Sequence, residues 1–374
     1  MVSITQKVYE LGQSLWYDNI ERRLLENGEL NAMIERGDIY GVTSNPSIFH
    51  NAIVNSSDYD EELKRLANDG ANANEIFDTL AVQDIQAAAD LFLPLYESTN
   101  GGDGYVSIEV HPDMAHDVEG TSAEAERLWA LVDRPNLMVK IPATKEGLPA
   151  IQRSIAKGIN INVTLIFSQQ RYAEVINAYL SGLEERLGDG KEIENIASVA
   201  SFFVSRIDSK VDGWLDELVT AGGPQSAKAA QLRGMVAIAN AKLAYERFTS
   251  EFNSARYASL KEKGGRAQRP LWASTSTKNE KYPDVLYLDE LIGFDTVNTV
   301  PPKTLEAFKD HGSAELSIER DLDGAHQTLA DLKDIGLSLD KATEELEEEG
   351  VASFSNAIHA LQDTIEKRRE AFIG

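Results

Sequence analysis

Leu137-Met138-Val139-Lys140-Ile141-Pro142-Ala143-Thr144 is an apolar run holding a single lysine and closed by a proline and a threonine. It reads as a buried strand that ends at a loop. Lysine is among the costliest side chains to bury, because its ammonium loses hydration that it cannot easily regain. Two readings follow: the head snorkels into water from the strand end, or the amine is kept dry so that it acts as a nucleophile near neutral pH. Taken alone, the stretch favours snorkelling. Its neighbours along the chain reverse that.

Working outward, short apolar runs rich in β-branched residues recur at Ser14–Asp18, Ile39–Ser44, Tyr105–Val110, Leu137–Pro142, Ile161–Phe167, Ile196–Ser205, Pro270–Thr275 and Asp295–Val300. Most are nearly continuous rather than alternating, the pattern of parallel strands covered on both faces. Helical stripes lie between them. Asn19–Arg36 reads as one helix, Ser122–Asp133 as another with a capping box from Thr121 to Glu124, and Ser168–Leu187 as a third capped by its serine. Eight strands alternating with helices predict an α/β fold, a single (β/α)8 TIM barrel. An open doubly wound sheet fits less well, because no Gly-x-Gly-x-x-Gly follows the first strand. The surplus length falls in helical insertions at 58–99 and 226–263 and a C-terminal helical segment at 337–372. That segment reads as interrupted near Gly350, with Glu344–Glu349 a solvated acidic face. No repeat or linker divides the chain, so one domain spanning 1–374 is expected.

Composition narrows the function. At 374 residues, 42% hydrophobic and 26% charged, the chain has the make-up of a globular protein with a sizeable core. Its net charge of −25, from 61 acidic and 36 basic residues, argues against nucleic acid or an anionic membrane as partner. An anionic substrate would need the few lysines and arginines gathered locally. There is no cysteine, which removes thiolate chemistry and Cys-ligated metals, and the six histidines show no metal-ligand spacing. Neither a metal nor an organic cofactor is expected, and no Gly-x-Ser-x-Gly elbow suggests a serine hydrolase. The first residues carry no apolar signal-peptide core, and no run of eighteen apolar residues occurs, so a cytoplasmic location is the expectation.

In a barrel the chemistry gathers at the carboxyl ends of the strands. The polar residues falling there are Asp18, Asn45, Glu109, Lys140, Asn162, Thr164, Ser201, Arg206, Ser274 and Lys278. Asp18 and Asn45 also suit helix caps, the second with Pro46 at the first helical position. Thr164 also suits an ordinary strand, and Arg206 a surface pair with Asp208 or Glu217. Asn162 is harder to dismiss, since a buried amide needs several partners. Glu109 and Lys140 lie on sequential strands, which in a barrel run roughly 4.8 Å apart. They form either a structural ion pair or an acid/base and nucleophile. The uncharged hydrogen-bonding groups around them favour the second, which is Schiff-base chemistry on a carbonyl substrate.

Six ordered segments then carry a resemblance: Leu15-Trp16-Tyr17-Asp18, Gly41-Val42-Thr43-Ser44-Asn45-Pro46-Ser47-Ile48-Phe49, Ser107-Ile108-Glu109, Val139-Lys140-Ile141-Pro142-Ala143-Thr144, Ile161-Asn162-Val163-Thr164-Leu165-Ile166-Phe167 and Ser201-Phe202-Phe203-Val204-Ser205-Arg206-Ile207. Together they resemble the transaldolase family, in its longer bacterial branch. The resemblance implies a cofactor-free barrel of the class I aldolase type in the pentose phosphate pathway. Such an enzyme moves a dihydroxyacetone unit between sedoheptulose 7-phosphate and glyceraldehyde 3-phosphate, giving erythrose 4-phosphate and fructose 6-phosphate. It further implies Lys140 as the imine-forming lysine and Asp18 as the base for the C4 hydroxyl. Glu109 would shuttle protons through a water held with Thr164. Asn45, Asn162 and Ser201 would hold the dihydroxyacetone hydroxyls, and Arg206 the distal phosphate.

This chain departs from the family pattern at two places. Phe202 and Ser205 stand where the sixth strand commonly has proline and glycine, and Ala273-Ser274-Thr275-Ser276-Thr277-Lys278 replaces an Ala-Ser-Phe-Arg. The second phosphate cation is thereby a lysine, a point charge rather than a bidentate fork, assigned with Ser274 to the substrate. The related fructose 6-phosphate aldolases, which release free dihydroxyacetone, resemble this chain but have tyrosine at Phe203 and glutamine at Glu109. Both positions favour transfer. A sugar-phosphate isomerase barrel with Glu109 as base is the more distant alternative. Small sugar phosphates are the implied partners; the family varies in assembly, and a monomer or homodimer is the expectation.

Overall fold

The structure, a computed structural model, describes residues 2–373. Seven strands form one all-parallel sheet: β1 Gln13–Tyr17, β2 Val106–Glu109, β3 Leu137–Pro142, β4 Ile161–Ile166, β5 Ser198–Phe203, β6 Arg269–Ala273 and β7 Thr296–Val300. They are ordered β1-β7-β6-β5-β4-β3-β2, so each crossover joins sheet neighbours except the one from β1 to β2 at the two ends of the order. Nearly every strand residue is buried, as two-sided cover by helices requires.

The strand expected at Ile39–Ser44 does not form a ladder. Val42 alone makes isolated bridges, one to Tyr17 and one to Val106. Backbone hydrogen bonds nevertheless run from this segment to both end strands: Tyr40 N to Leu15 O at 2.8 Å and Ser107 N to Val42 O at 3.1 Å. The segment has no room to extend. Gly41 lies flat on the Trp16 indole, where a Cβ would come within 2.7 Å, and Asn45 already caps the next helix.

Three helical expectations are corrected. Asn19–Arg36 is two short helices, Arg22–Glu26 and Glu29–Glu35, parted at Gly28 with φ of 81°. The helix placed at Ser122–Asp133 starts earlier, at Val118, because Asp117 accepts from the amides of Glu119 and Gly120. Thr121 is inside that helix, and its hydroxyl donates to Met114 O. The C-terminal segment is one unbroken helix, Leu339–Ile373, of 35 residues and so about 50 Å long. Gly350 does not interrupt it. A Cβ there would sit 2.9 Å from Leu165 Cδ2 and 3.6 Å from Arg206 Nη1, so the glycine lets the helix press against the strand ends. Leu165 meets it through a bulge between β4 and β5, with φ of 58°.

The acidic run is not simply solvated either. Glu345 and Glu349 both pair with Lys210, at 2.8 and 2.7 Å, and Glu347 pairs with Arg171 at 3.2 Å. These contacts fasten the helix across the carboxyl ends of the strands. The insertion at 58–99 folds as Asp60–Asn68 and Ala73–Ser98, and that at 226–263 as Ser226–Leu232, Val236–Glu251 and Ala255–Lys261. The helix placed at Ser168–Leu187 is present as Gln169–Gly188, capped by Ser168 as its sequence indicates. No helix among the described residues is long and apolar enough to cross a membrane.

Candidate active site

Strand register decides which side chains meet. Glu109 pairs with Lys140, Lys140 with Asn162, and Pro142 with Thr164. A parallel ladder therefore sets the carboxylate, the amine and the amide at one level on three adjacent strands. The Lys140 side chain does not snorkel to the outer surface: the residue is only 5% exposed. Its Nζ donates to Ser44 O at 2.8 Å and lies 3.0 Å from Glu109 Oε2, without the alignment of a hydrogen bond. Neither oxygen of Glu109 has a hydrogen-bond partner among the described residues, nor has Thr164 Oγ1. The buried groups closest to the amine thus keep acceptor or donor capacity open.

Below the amine, Asn162 Nδ2 donates to Ser107 Oγ at 3.1 Å, and Ser201 Oγ donates to Asn162 Oδ1 at 2.7 Å. This chain holds Asn162 in one orientation. On the opposite wall Asp18 Oδ1 accepts from Thr43 Oγ1 at 2.7 Å, and Thr43 is itself paired with the Thr299 hydroxyl. Burial pushes the Asp18 carboxyl above the ordinary carboxylate range, opposed by the Thr43 hydrogen bond and the charges of Lys140 and Lys278. Burial likewise raises Glu109, opposed by Lys140.

One cavity, enclosing about 680 Å³ including its mouth, is lined by Asp18, Asn45, Lys140, Thr164, Ser201, Phe203, Arg206, Ser274 and Lys278. Glu109 and Asn162 do not line it; they stand behind Lys140 and Ser201, in contact with them. All eleven candidates from the sequence are therefore brought to one place. Their individual situations differ. Asn45 does cap the helix Pro46–Val54, its Oδ1 accepting from Ile48 N at 3.0 Å. Asn45 also lines the cavity, and its Nδ2 makes no hydrogen bond among the described residues. Asp18 caps nothing: the next helix starts after Glu21, with no side-chain cap. Arg206 pairs with neither Asp208 nor Glu217, and Asp208 is engaged instead with Ala237 N and the Tyr287 hydroxyl. Ser274, at φ of 56°, shares a hydroxyl contact of 2.8 Å with Ser205. Lys278 Nζ donates to Ser276 Oγ at 2.6 Å. Burial and the Arg206 charge hold Lys278 below the ordinary lysine range, while burial does the same for Arg206.

Sequence reading missed Thr43, Thr299 and Phe354, which also line the cavity. Thr43 lies inside a quoted motif and was legible as the hydroxyl beside Asp18. Phe354 was not, since it stands on the C-terminal helix far from every strand in the chain. No group of three or more metal-ligating side chains occurs among the described residues.

A parallel sheet under helices, with charged and hydrogen-bonding side chains gathered at its carboxyl ends around a buried amine, is the architecture of an α/β enzyme. The family model described as Transaldolase/Fructose-6-phosphate aldolase matches residues 15–365, and the chain belongs to that family. Among curated relatives, the Transaldolase of Trichodesmium erythraeum is 45% identical, over 97% of this chain and 96% of its own length. The Transaldolase of Thermobifida fusca is 45% identical over 99% of this chain and all of its own length. That of Frankia alni is 46% identical over 95% and 94%.

Proposed function

We infer that the chain is a transaldolase, a transferase of carbohydrate metabolism that moves a dihydroxyacetone unit between sugar phosphates through an imine on Lys140. The observation that carries this is the Lys140 amine, buried 3.0 Å from Glu109 and opening on a cavity that Asp18 also lines. Full-length similarity to proteins named transaldolase favours transfer over release of free dihydroxyacetone and over isomerisation. The segment around Val42 is read as the eighth stave of a closed barrel, and residues 1–374 as one domain. A cytoplasmic location and a monomeric or homodimeric assembly complete the reading.

In the reaction, Lys140 Nζ gives a proton to Glu109 and attacks the ketone carbon of the donor. Glu109 returns that proton to the carbinolamine hydroxyl, and water leaves as the imine forms. Thr164, its hydroxyl without a partner, supports this exchange. Asp18 next takes the proton of the C4 hydroxyl, the C3–C4 bond breaks, and its electron pair moves into the iminium as an enamine. The aldehyde product departs. An acceptor aldehyde then adds in the reverse sense, and its new hydroxyl regains the proton from Asp18. Ser201, backed by Asn162, and Asn45 hold the hydroxyls of the three-carbon unit, while Phe203 walls the cavity. Arg206 holds the phosphate, with Ser274 and Lys278 beside it.

Incubation with fructose 6-phosphate, reduction with borohydride and peptide mapping test the reading. A three-carbon adduct on Lys140 is expected; an unmodified Lys140 after turnover overturns the imine mechanism.

A further inference from the structure

Arg206 is the one guanidinium on the cavity wall, and among the described residues it has no ion pair and no hydrogen bond. It is held by two aromatic rings instead. Its Cζ lies 5.3 Å from the Phe203 ring centroid and 5.8 Å from that of Phe354. The first ring belongs to the last residue of β5, three positions before Arg206 in the first turn of the helix Ser205–Ala221. The second comes from the C-terminal helix. Ring faces restrain a guanidinium plane without accepting its in-plane N–H groups, so all five donors stay available for an anion. By contrast Arg171, which fastens the same helix nearby, has its donors committed to Glu174 and Glu347.

Phe354 is 4% exposed, and its ring also lies 5.9 Å from Lys140 Nζ. An apolar ring set against two cations at a cavity wall is not ordinary core filling. Its backbone position is well fixed. Ser355 Oγ donates to Asp113 Oδ1 at 2.6 Å, and His359 Nε2 lies 2.8 Å from Asp113 Oδ2. One turn earlier, Gly350 presses the helix onto Leu165 and Arg206.

We propose that Phe354 is a positioning residue for the phosphate end of the substrate: with Phe203 it fixes the Arg206 guanidinium plane, so the C-terminal helix sets the preference for phosphorylated sugars. This rests on the transaldolase reading above. The test compares fructose 6-phosphate with fructose as donor, to one acceptor aldehyde, in Phe354→Leu and Phe354→Tyr. Leucine keeps an apolar cover of similar bulk and removes the ring face. In Phe354→Leu the kcat/KM preference for the phosphorylated donor falls about tenfold, through KM rather than kcat, and Phe354→Tyr restores it. In an Arg206→Ala background, Phe354→Leu makes no further difference to that preference. Equal loss on both donors, a loss carried by kcat, or the same loss without Arg206 overturns the proposal. A wild-type chain that transfers no three-carbon unit from fructose 6-phosphate would instead overturn the function itself, whatever stands at 354.

Discussion

Two lysines of this chain are buried in the same manner, yet only one has polar groups without hydrogen bonds gathered around it. Lys140 and Lys242 are 5% and 6% exposed, and each faces one glutamate and one backbone carbonyl. Lys242 donates a formed hydrogen bond to Glu290 at 3.0 Å and another to Arg320 O at 3.0 Å. Its carboxylate is a third exposed. The pair joins the helix Val236–Glu251 to the segments packed on it, and both of its contacts are formed hydrogen bonds. Around Lys140 the bonding is incomplete: Glu109 is charge-paired with Lys140 but neither it nor Thr164 Oγ1 has a hydrogen-bond partner among the described residues, and Asp18 opens on the same cavity. Burial with a counter-charge describes both sites. Unsatisfied polar groups converging on one cavity describe only the first.

The largest effect that separates them is on turnover. Lys140→Arg keeps a cation but cannot form an imine, so transfer falls at least about a thousandfold. Lys242→Met leaves transfer within about threefold and costs about 1–2 kcal/mol in denaturant unfolding, because Glu290 can turn to water. A comparable activity loss in both variants would erase the distinction.

A second contrast concerns carboxylates. Asp208 is buried at 2% exposure and Asp18 is half-buried on the cavity wall, and desolvation raises both, Asp208 to about 7. Asp18→Asn lowers kcat about a hundredfold or more, and borohydride then traps a six-carbon adduct, since C3–C4 cleavage lacks its base. As that base, Asp18 works ionised, so wild-type kcat falls as pH drops through its raised pKa. The acid limb lies above the usual carboxylate value of about 4. The limb persisting unchanged in Asp18→Asn would assign it to another group.

Asp208 predicts the smaller effect, on stability alone. Its folded pKa exceeds the unfolded value, so the folded state binds the proton more tightly, and stability falls as pH rises between about 4 and about 7. The fall is bounded at about 4 kcal/mol. Asp208→Asn flattens that slope in urea titrations across the window and leaves transfer within about threefold. An unchanged slope would place the titration elsewhere.

Much of this was legible in the chain. Lys140, Glu109, Asn162 and Thr164 stand out because a polar side chain inside a continuous apolar strand is costly to bury, and parallel pairing then forces adjacent strands into register. Boundaries were less legible. Thr121 and Glu124 have the spacing of a capping box, but Asp117 captured the helix start first. Gly350 has the identity of a helix breaker, and its lack of a side chain is used instead for close approach. Asn45 proved to be both cap and cavity residue, roles that one amide can combine because its oxygen serves the cap and its nitrogen is left uncommitted.

Strand chemistry written in local order therefore decided the family and pointed to the lysine proposed to form the imine and to the carboxylates near it, since each depends on residues a few positions apart and on regular pairing. Tertiary structure alone decided how the cavity is completed. Phe354 reaches Arg206 and Lys140 from a helix more than a hundred residues away, guided by Asp113, Arg171 and Lys210 contacts that no local pattern encodes. The reason is physical. A helix shows in sequence which face it buries, but where it lies against the sheet depends on side chains it meets only after the chain has closed on itself.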